Sequence, residues 1–345
     1  TGYTKPLTQF LNKHPDILLV PIDKGHDLVF ISTEEYKNKL NDCFEDPNIF
    51  EKLEKDPLKN NLVLCQKTVR SMKPHVSDYT YKNMIPLEAT KKAYGTLKIH
   101  KEGSPCRIIV SSINSLTSGA EDYLTKIISK LDSICQYSCK STKDFRTFFL
   151  EKRNLYDSKE HDIASMDVVS MYNNINIPKV INFIVEELYK SPETYFSDES
   201  TKIPHKQIFK KFLEDILLKF NCFSSLTGFY RQKSGASMGS KLSPILGNLY
   251  VYLMEREVIE KHLSSGNIIG YKRYVDDTFL IYRKGTKDQI LKEVNNFDPK
   301  FLKFTCEEMI ENSLIYLDTE IHHDQSGVLQ MKKFRKPTNS DVICN

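Results

Sequence analysis

Apolar and polar positions alternate most sharply over residues 271–282, YKRYVDDTFLIY, where two short β-prone runs flank the adjacent acids Asp276 and Asp277. This pattern predicts a hairpin with both carboxylates at its turn. Residues 163–172, IASMDVVSMY, predict a second β-rich segment with one acid, Asp167, among apolar neighbours. Burying that charge unpaired would cost several kcal/mol. Asp167 is therefore expected at a strand end or on a metal, the plainer alternative being a cap on the turn toward Asn173-Asn174-Ile175. Residues 95–101 and 106–111 predict another hairpin, turning at Glu102-Gly103-Ser104-Pro105, with Lys98 and Arg107 on opposite arms. Residues 17–31, ILLVPIDKGHDLVFI, predict two buried strands joined at Asp23-Lys24-Gly25, where a lysine can point at a phosphate or simply serve the turn.

Helical periodicity accounts for much of the remainder. Ser32 is the expected cap of a helix with Glu34 and Glu35 in its first turn, and residues 116–131 form an amphipathic helix. Residues 42–90 read as mostly helical, punctuated by prolines, and residues 177–229 as helical throughout, most clearly at 206–220. Residues 231–255, RQKSGASMGSKLSPILGNLYVYLME, pass from a glycine-rich polar loop into an apolar helix. Ser243 is its expected cap and Pro244 its first residue. Gly235 and Gly239 would let the backbone approach a ligand, and Gly247 inside the helix points to a close neighbour. Residues 315–323 read as one strand with polar edges rather than a metal site of Asp318, His322 and His323.

Composition narrows the class. A chain of 345 residues with 40% hydrophobic and 27% charged residues can build a large core, and no apolar run of about 18 residues predicts a membrane span. The N-terminal TGYTKPLTQF lacks the apolar core of a signal peptide, and eight scattered cysteines suit reduced thiols, so an intracellular protein is expected. Cys135 and Cys139 form the one close pair, on one face of an expected helix, with no second pair of ligands for zinc. The net charge of +4 is mild. Residues 67–107, however, carry nine cations against three anions, a surplus of six that suits a phosphate backbone or a solvated lysine-rich surface.

Adjacent carboxylates repel, so they persist as ions where water or a bound divalent cation neutralises them. Nucleotide polymerisation needs such a site: two cations about 3.5–4 Å apart stabilise the attacking and leaving oxygens of an in-line displacement at phosphorus. Asp167, Asp276 and Asp277 supply the carboxylates, the Lys98/Arg107 hairpin can take a triphosphate, and the glycine loop can carry the nascent base pair.

MDVVSMY, SGASMGSKLSP and YVDD, in this order and preceded by KIHKEGSPCRIIV, resemble the reverse transcriptase domain. LVPIDKGHDLVFIS, KIHKEGSPCRIIVSS, the MGSKLSP loop, IYLDTEIHHD and KKFRKPT are similar to the Penelope-like retroelements, relatives of telomerase. The resemblance covers residues 20–338. It implies an α+β right-hand polymerase with fingers and an antiparallel palm sheet bearing the acids, helices behind it. The implied enzyme is an RNA-directed DNA polymerase extending a primer on an RNA template with two Mg²⁺ ions, or Mn²⁺. Its partners would be RNA template, DNA primer, the RNA–DNA hybrid and deoxynucleoside triphosphates, with no membrane; the oligomeric state stays open. By the same resemblance Asp167, Asp276 and Asp277 are the catalytic metal-binding acids, and Lys98, Arg107, Met238 and Gly239 border the nucleotide. Tyr172, five positions after Asp167, matches the aromatic gate beneath the sugar, with a core tyrosine as the alternative. Met238 stands where many related enzymes have Gln, and Lys241 where the Penelope-like group more often has Pro.

The implied domains are an N-terminal region and fingers over 1–160, a first palm strand over 161–180, a helical insertion over 181–235, the remaining palm over 236–320, and a primer-grip-like end with the start of a thumb over 321–345. No GIY-YIG-like endonuclease segment is visible, so a fragment, a truncated copy or an endonuclease-lacking member is expected. Residence in the nucleus is expected, with the cytoplasm second. A catalytically inactive nucleic-acid-binding remnant and an RNA-templated RNA polymerase are the alternative functions.

Overall fold

The computed structural model describes residues 4–25 and 27–334. Its strands are β1 (Ile17–Pro21), β2 (Leu28–Ser32), β3 (Phe50–Leu53), β4 (Lys91–Leu97), β5 (Cys106–Ser111), β6 (His161–Val168), β7 (Cys222–Ser225), β8 (Gly228–Gln232), β9 (Ile268–Tyr274), β10 (Asp277–Arg283), β11 (Phe304–Glu308), β12 (Ser313–Tyr316), β13 (Thr319–His323) and β14 (Leu329–Lys333). They belong to two compact units, each assembled from separate stretches of chain. The first comprises Thr1–Ile127 and Ser191–Ser243, the second Ile128–Lys190 and Pro244–Asn345.

The first unit is built on a five-stranded sheet of order β3-β8-β7-β4-β5, in which β4 and β7 are parallel and the other pairs antiparallel. One face of this sheet meets the helix Thr33–Cys43, whose Ser32 hydroxyl accepts from the Glu35 N–H at 3.1 Å as the expected cap. Tyr36 and Leu40 of that helix join Phe44, Phe50, Phe223 and Tyr230 in one core cluster. The Tyr36 hydroxyl accepts from the Gly95 N–H at 2.7 Å and donates to the Gly95 carbonyl at 3.0 Å, tying the helix to the middle of β4.

The second unit holds a four-stranded antiparallel sheet of order β11-β6-β10-β9 and a three-stranded sheet β12-β13-β14. The interior of β10, Thr278–Tyr282, is buried at every position, as befits a central strand covered on both faces. Phe279 meets Phe145 of the helix Thr142–Lys152 with ring centroids 5.1 Å apart, and Phe149, Ile281, Tyr316 and Ile321 complete that cluster.

Several local expectations are corrected. The span read as helical to residue 229 ends instead in the β7–β8 hairpin, and β3 interrupts the segment expected to be mostly helical. Residues 315–323 form a hairpin of β12 and β13, turning at Leu317 with φ +53°, rather than one strand. Cys135 ends the 3-10 helix Ser129–Ile134, and Cys139 lies outside helix, its N–H bonded to the Arg273 carbonyl at 2.7 Å. Cys344 and the chain from residue 335, part of the expected primer-grip-like end and start of a thumb over 321–345, lie outside the described residues.

Candidate active site

The paired acids sit where the hydrophobic pattern of β9 and β10 releases the chain. β9 ends at Tyr274 and β10 begins at Asp277, which pairs with Tyr274, so Val275 and Asp276 alone form the turn. The other neighbour of Asp277 is Asp167, directly opposite it on β6, and Thr305 of β11 opposes Asp167 in turn. Thus Asp277, Asp167 and Thr305 form a row across three strands, exposed at its rim while the strand interiors are buried. Asp167, Asp277 and Thr305 also line a pocket of about 350 Å³ with Glu307, Tyr316 and Leu317. Carboxylates placed opposite one another repel, and a hard cation with oxygen ligands relieves that repulsion, so the donor chemistry fits Mg²⁺ or Mn²⁺. Among the described residues no group of three or more His, Cys, Asp or Glu side chains stands in metal-holding array. The fold therefore brings Asp167 and Asp277 together and leaves Asp276, half-buried, in the adjoining turn.

That turn is strained and buttressed. Val275 has φ +57°, a left-handed conformation that β-branched residues rarely adopt. Its carbonyl accepts from Arg273 Nη1 at 2.9 Å. Arg273 in turn grips Glu255 through Nε at 2.6 Å and Nη2 at 3.1 Å, both side chains being 0% exposed. Burial alone would disfavour the guanidinium, but the Glu255 carboxylate outweighs it and holds the arginine charged. Tyr271 donates to the same Glu255 Oε1 at 3.1 Å, and its own ionisation is pushed far upward by burial and by that carboxylate. Tyr316 donates to the Asp277 carbonyl at 3.1 Å and fixes the start of β10.

Tyr172 lies half-buried in the 3-10 turn Met171–Asn174, entered through Ser170 at φ +48°. It follows β6 but does not line the pocket around Asp167 and Asp277. The close neighbour expected at Gly247 is Met171: a Cβ on that glycine would come 3.0 Å from Met171 Cε. The helix Ser243–Met254 thereby packs against the residue preceding Tyr172.

Lys98, Arg107, Met238 and Gly239 belong to the first unit. Lys98 stands just beyond β4, its N–H donating to the Pro105 carbonyl at 2.9 Å across the mouth of the expected hairpin. Arg107 lies on β5 and pairs through Nη1 with Asp23 Oδ1 at 2.9 Å. The glycine loop is bonded to the same strand, the Val110 N–H donating to the Met238 carbonyl at 2.6 Å. Gly239 has φ +106°, and a Cβ there would meet the Val110 carbonyl oxygen at 2.8 Å, so this close approach requires glycine.

A buried network anchors the loop from behind. Glu121 Oε1 pairs with Lys91 Nζ at 2.7 Å and accepts from Thr117 at 2.7 Å, while Oε2 accepts from Ser240 of the loop at 2.8 Å. Burial raises the Glu121 carboxyl, but the Lys91 charge and the hydrogen bonds from Lys91, Thr117 and Ser240 prevail and hold it below the ordinary range. Lys241 pairs with Asp122 on the same helix. Sequence reasoning placed Asp23 only in a turn, and it missed Glu121, Glu255, Arg273, Thr305 and Glu307. Among those missed, a signal existed only for Arg273, an arginine at a position that the alternation of β9 turns inward.

The decisive comparison is with protein families: the family described as reverse transcriptase (RNA-dependent DNA polymerase) matches residues 99–308, well over half the chain. The chain belongs to that family. The matched segment contains every site residue expected from the sequence except Lys98, one position before its start. The description of that family, RNA-dependent DNA polymerase, names the enzyme class the motifs indicated. Among solved structures, telomerase from Candida albicans in complex with a fragment of telomeric RNA superposes with a TM-score of 0.63 at 14% identity, over 95% of this chain and 55% of that one. Apo telomerase from Candida tropicalis, truncated from its C-terminal domain, gives 0.62 at 13% identity, over 91% of this chain and 63% of that one. The likeness is one of fold, the mixed α+β polymerase fold the sequence indicated, and the chain spans 55% to 63% of those telomerases' own length. Curated protein sequences offer no match.

Proposed function

We propose that the chain is the RNA-directed DNA polymerase part of a Penelope-like retroelement, extending a primer 3′-hydroxyl on an RNA template with deoxynucleoside triphosphates. The observation that carries this reading is the direct cross-strand pairing of Asp277 with Asp167 at the exposed end of a buried sheet, beside the strained turn that bears Asp276. In the reaction the primer 3′-hydroxyl gives up its proton to water and its oxygen attacks the α-phosphorus of the nucleotide. A new O–P bond forms, the bond to the β-phosphate oxygen breaks, and pyrophosphate leaves. Asp167, Asp276 and Asp277 are the residues that would hold divalent cations, which when bound stabilise both the attacking and the leaving oxygen. Lys98 and Arg107 bind the triphosphate, the lysine as a point charge and the arginine as a planar fork. Gly239 gives backbone access beside the nascent pair, and the Tyr172 ring excludes a ribose 2′-hydroxyl. On this reading the second unit carries the palm, the first unit the fingers, and the enzyme works in the nucleus.

Primer extension on poly-rA with oligo-dT tests the proposal. With Mg²⁺ the wild type is expected to incorporate dTTP in preference to UTP, to stop when EDTA is added, and to lose about tenfold or more of its sugar discrimination on Tyr172→Ala. A preference for UTP that Tyr172→Ala leaves unchanged would contradict it and favour an RNA-templated RNA polymerase. Template binding with no synthesis at all would favour a non-catalytic remnant.

A further inference from the structure

The turn Asp23-Lys24-Gly25 has no part in the chemistry described so far, yet it is built against the strand end that leads into Lys98. The Asp23 N–H donates to the Leu97 carbonyl at 2.9 Å, and Ile22 forms a parallel bridge with Leu97. Gly25, at φ +104°, supplies the left-handed residue that closes the turn. The Asp23 side chain is only 3% exposed, whereas the Arg107 side chain paired with it is 38% exposed. Asp23 Oδ1 accepts from Arg107 Nη1 at 2.9 Å and from Thr96 Oγ1 at 3.3 Å, while Oδ2 is buried without a hydrogen-bond partner among the described residues.

A carboxylate buried in this way is costly for a mere turn, and it holds one edge of the guanidinium while the rest of that group reaches solvent. The surroundings are strongly cationic. Burial lowers the Lys98 ammonium below its ordinary value; Arg107 lowers it further, Asp23 opposes this, and Lys101 and Lys24 add to the lowering. Arg107, Lys101 and Lys24 thus stand near enough to Lys98 to act on it, with the Asp23–Arg107 pair at the same end of β4, and a polyphosphate is the chemical class that neutralises such a set of cations.

We propose that the Asp23-Lys24-Gly25 turn is a third wall of the triphosphate site: Asp23 is a positioning residue that orients Arg107, and Lys24 contacts the terminal phosphates of the incoming nucleotide. This rests on the reading of Lys98 and Arg107 as triphosphate-binding residues. Because the terminal phosphates depart as pyrophosphate, Lys24 also binds that product before release.

The test compares the KM for dTTP, kcat and inhibition by inorganic pyrophosphate in primer extension on poly-rA with oligo-dT, for wild type, Lys24→Gln, Asp23→Asn, Arg107→Gln, the Asp23→Asn/Arg107→Gln double variant and Lys98→Ala. Lys24→Gln, an exposed turn substitution, is expected to raise the KM and the pyrophosphate inhibition constant each about tenfold, with kcat little changed. Asp23→Asn is expected to raise the KM about as much, yet to add nothing in the Arg107→Gln background, since it acts through that arginine. A wild-type KM in Lys24→Gln, or additive effects of Asp23→Asn and Arg107→Gln, alongside a raised KM in Lys98→Ala, would overturn this inference and leave the polymerase reading intact. If Lys98→Ala and Arg107→Gln also keep the wild-type KM, the triphosphate site itself is misassigned and both readings fall.

Discussion

Val275 is the residue on which the acids' geometry turns. A β-branched side chain held at φ +57° costs roughly 1–3 kcal/mol, and such strain persists only where neighbours over-determine the backbone. Arg273 supplies that constraint through the Val275 carbonyl, and Glu255 keeps Arg273 in place. Removing one partner of a buried ion pair leaves the other charge stranded, at a cost of about 3–5 kcal/mol. Glu255→Gln is therefore expected to lower the unfolding free energy in urea by about that amount and to depress kcat more than the KM for dTTP, because the turn that presents Asp276 loses its brace. An unchanged urea midpoint with unchanged kcat would contradict the bracing role. The acids themselves were legible because they interrupt two β-prone runs. The brace was not, since Glu255 lies 18 positions before Arg273 and only the fold joins them. The cross-strand register that opposes Asp167 to Asp277 is likewise a long-range fact that no local pattern carries.

At the scale of elements, strands and hairpins with clear turn chemistry were read well, as in the arm bearing Arg107, the Ser32-capped helix, and β9 with β10, whereas the first arm of the Lys98/Arg107 hairpin ends at Leu97 and leaves Lys98 in the connection rather than on a strand. The β7–β8 hairpin escaped because its short arms follow a long helical pattern and are stabilised from elsewhere. Phe223 and Tyr230 pack on Phe44 at 5.5 and 4.3 Å between ring centroids, so tertiary burial overrides local propensity. The glycine loop depends on a similarly remote element, the helix that carries Glu121. Since the folded Glu121 carboxyl is held below its ordinary value, its contribution is full above the unfolded carboxyl range near 4.5 and is lost as pH falls through the lower folded value. Thermal melts from pH 7 to pH 3 are expected to show a steeper loss of stability below about pH 4.5 for wild type than for Glu121→Gln. The variant should start from a lower midpoint at pH 7, because Lys91 is then buried without its partner. Parallel pH curves for the two proteins would show that Glu121 contributes no linked stability.

At the scale of the whole molecule, each unit holds its own share of the residues to which the proposed function gives roles. The cations Lys98 and Arg107 and the glycine loop belong to the first, and the acids and Tyr172 to the second. The chain passes between the units at residues 127/128, 190/191 and 243/244, so each unit draws on separated stretches of sequence. The order of the motifs was readable and identified the family, while the way they are shared between units depends on contacts made at long range. On the proposed function, the opposed carboxylates on β6 and β10 carry out nucleotidyl transfer. The most direct test is single-nucleotide incorporation of dTTP on poly-rA with oligo-dT and Mg²⁺ by wild type and by Asp277→Asn, with template binding and melting temperature measured on the same samples. Loss of at least about a thousandfold in incorporation rate, with binding and melting little changed, is the expected result. Incorporation at the wild-type rate by Asp277→Asn would contradict it.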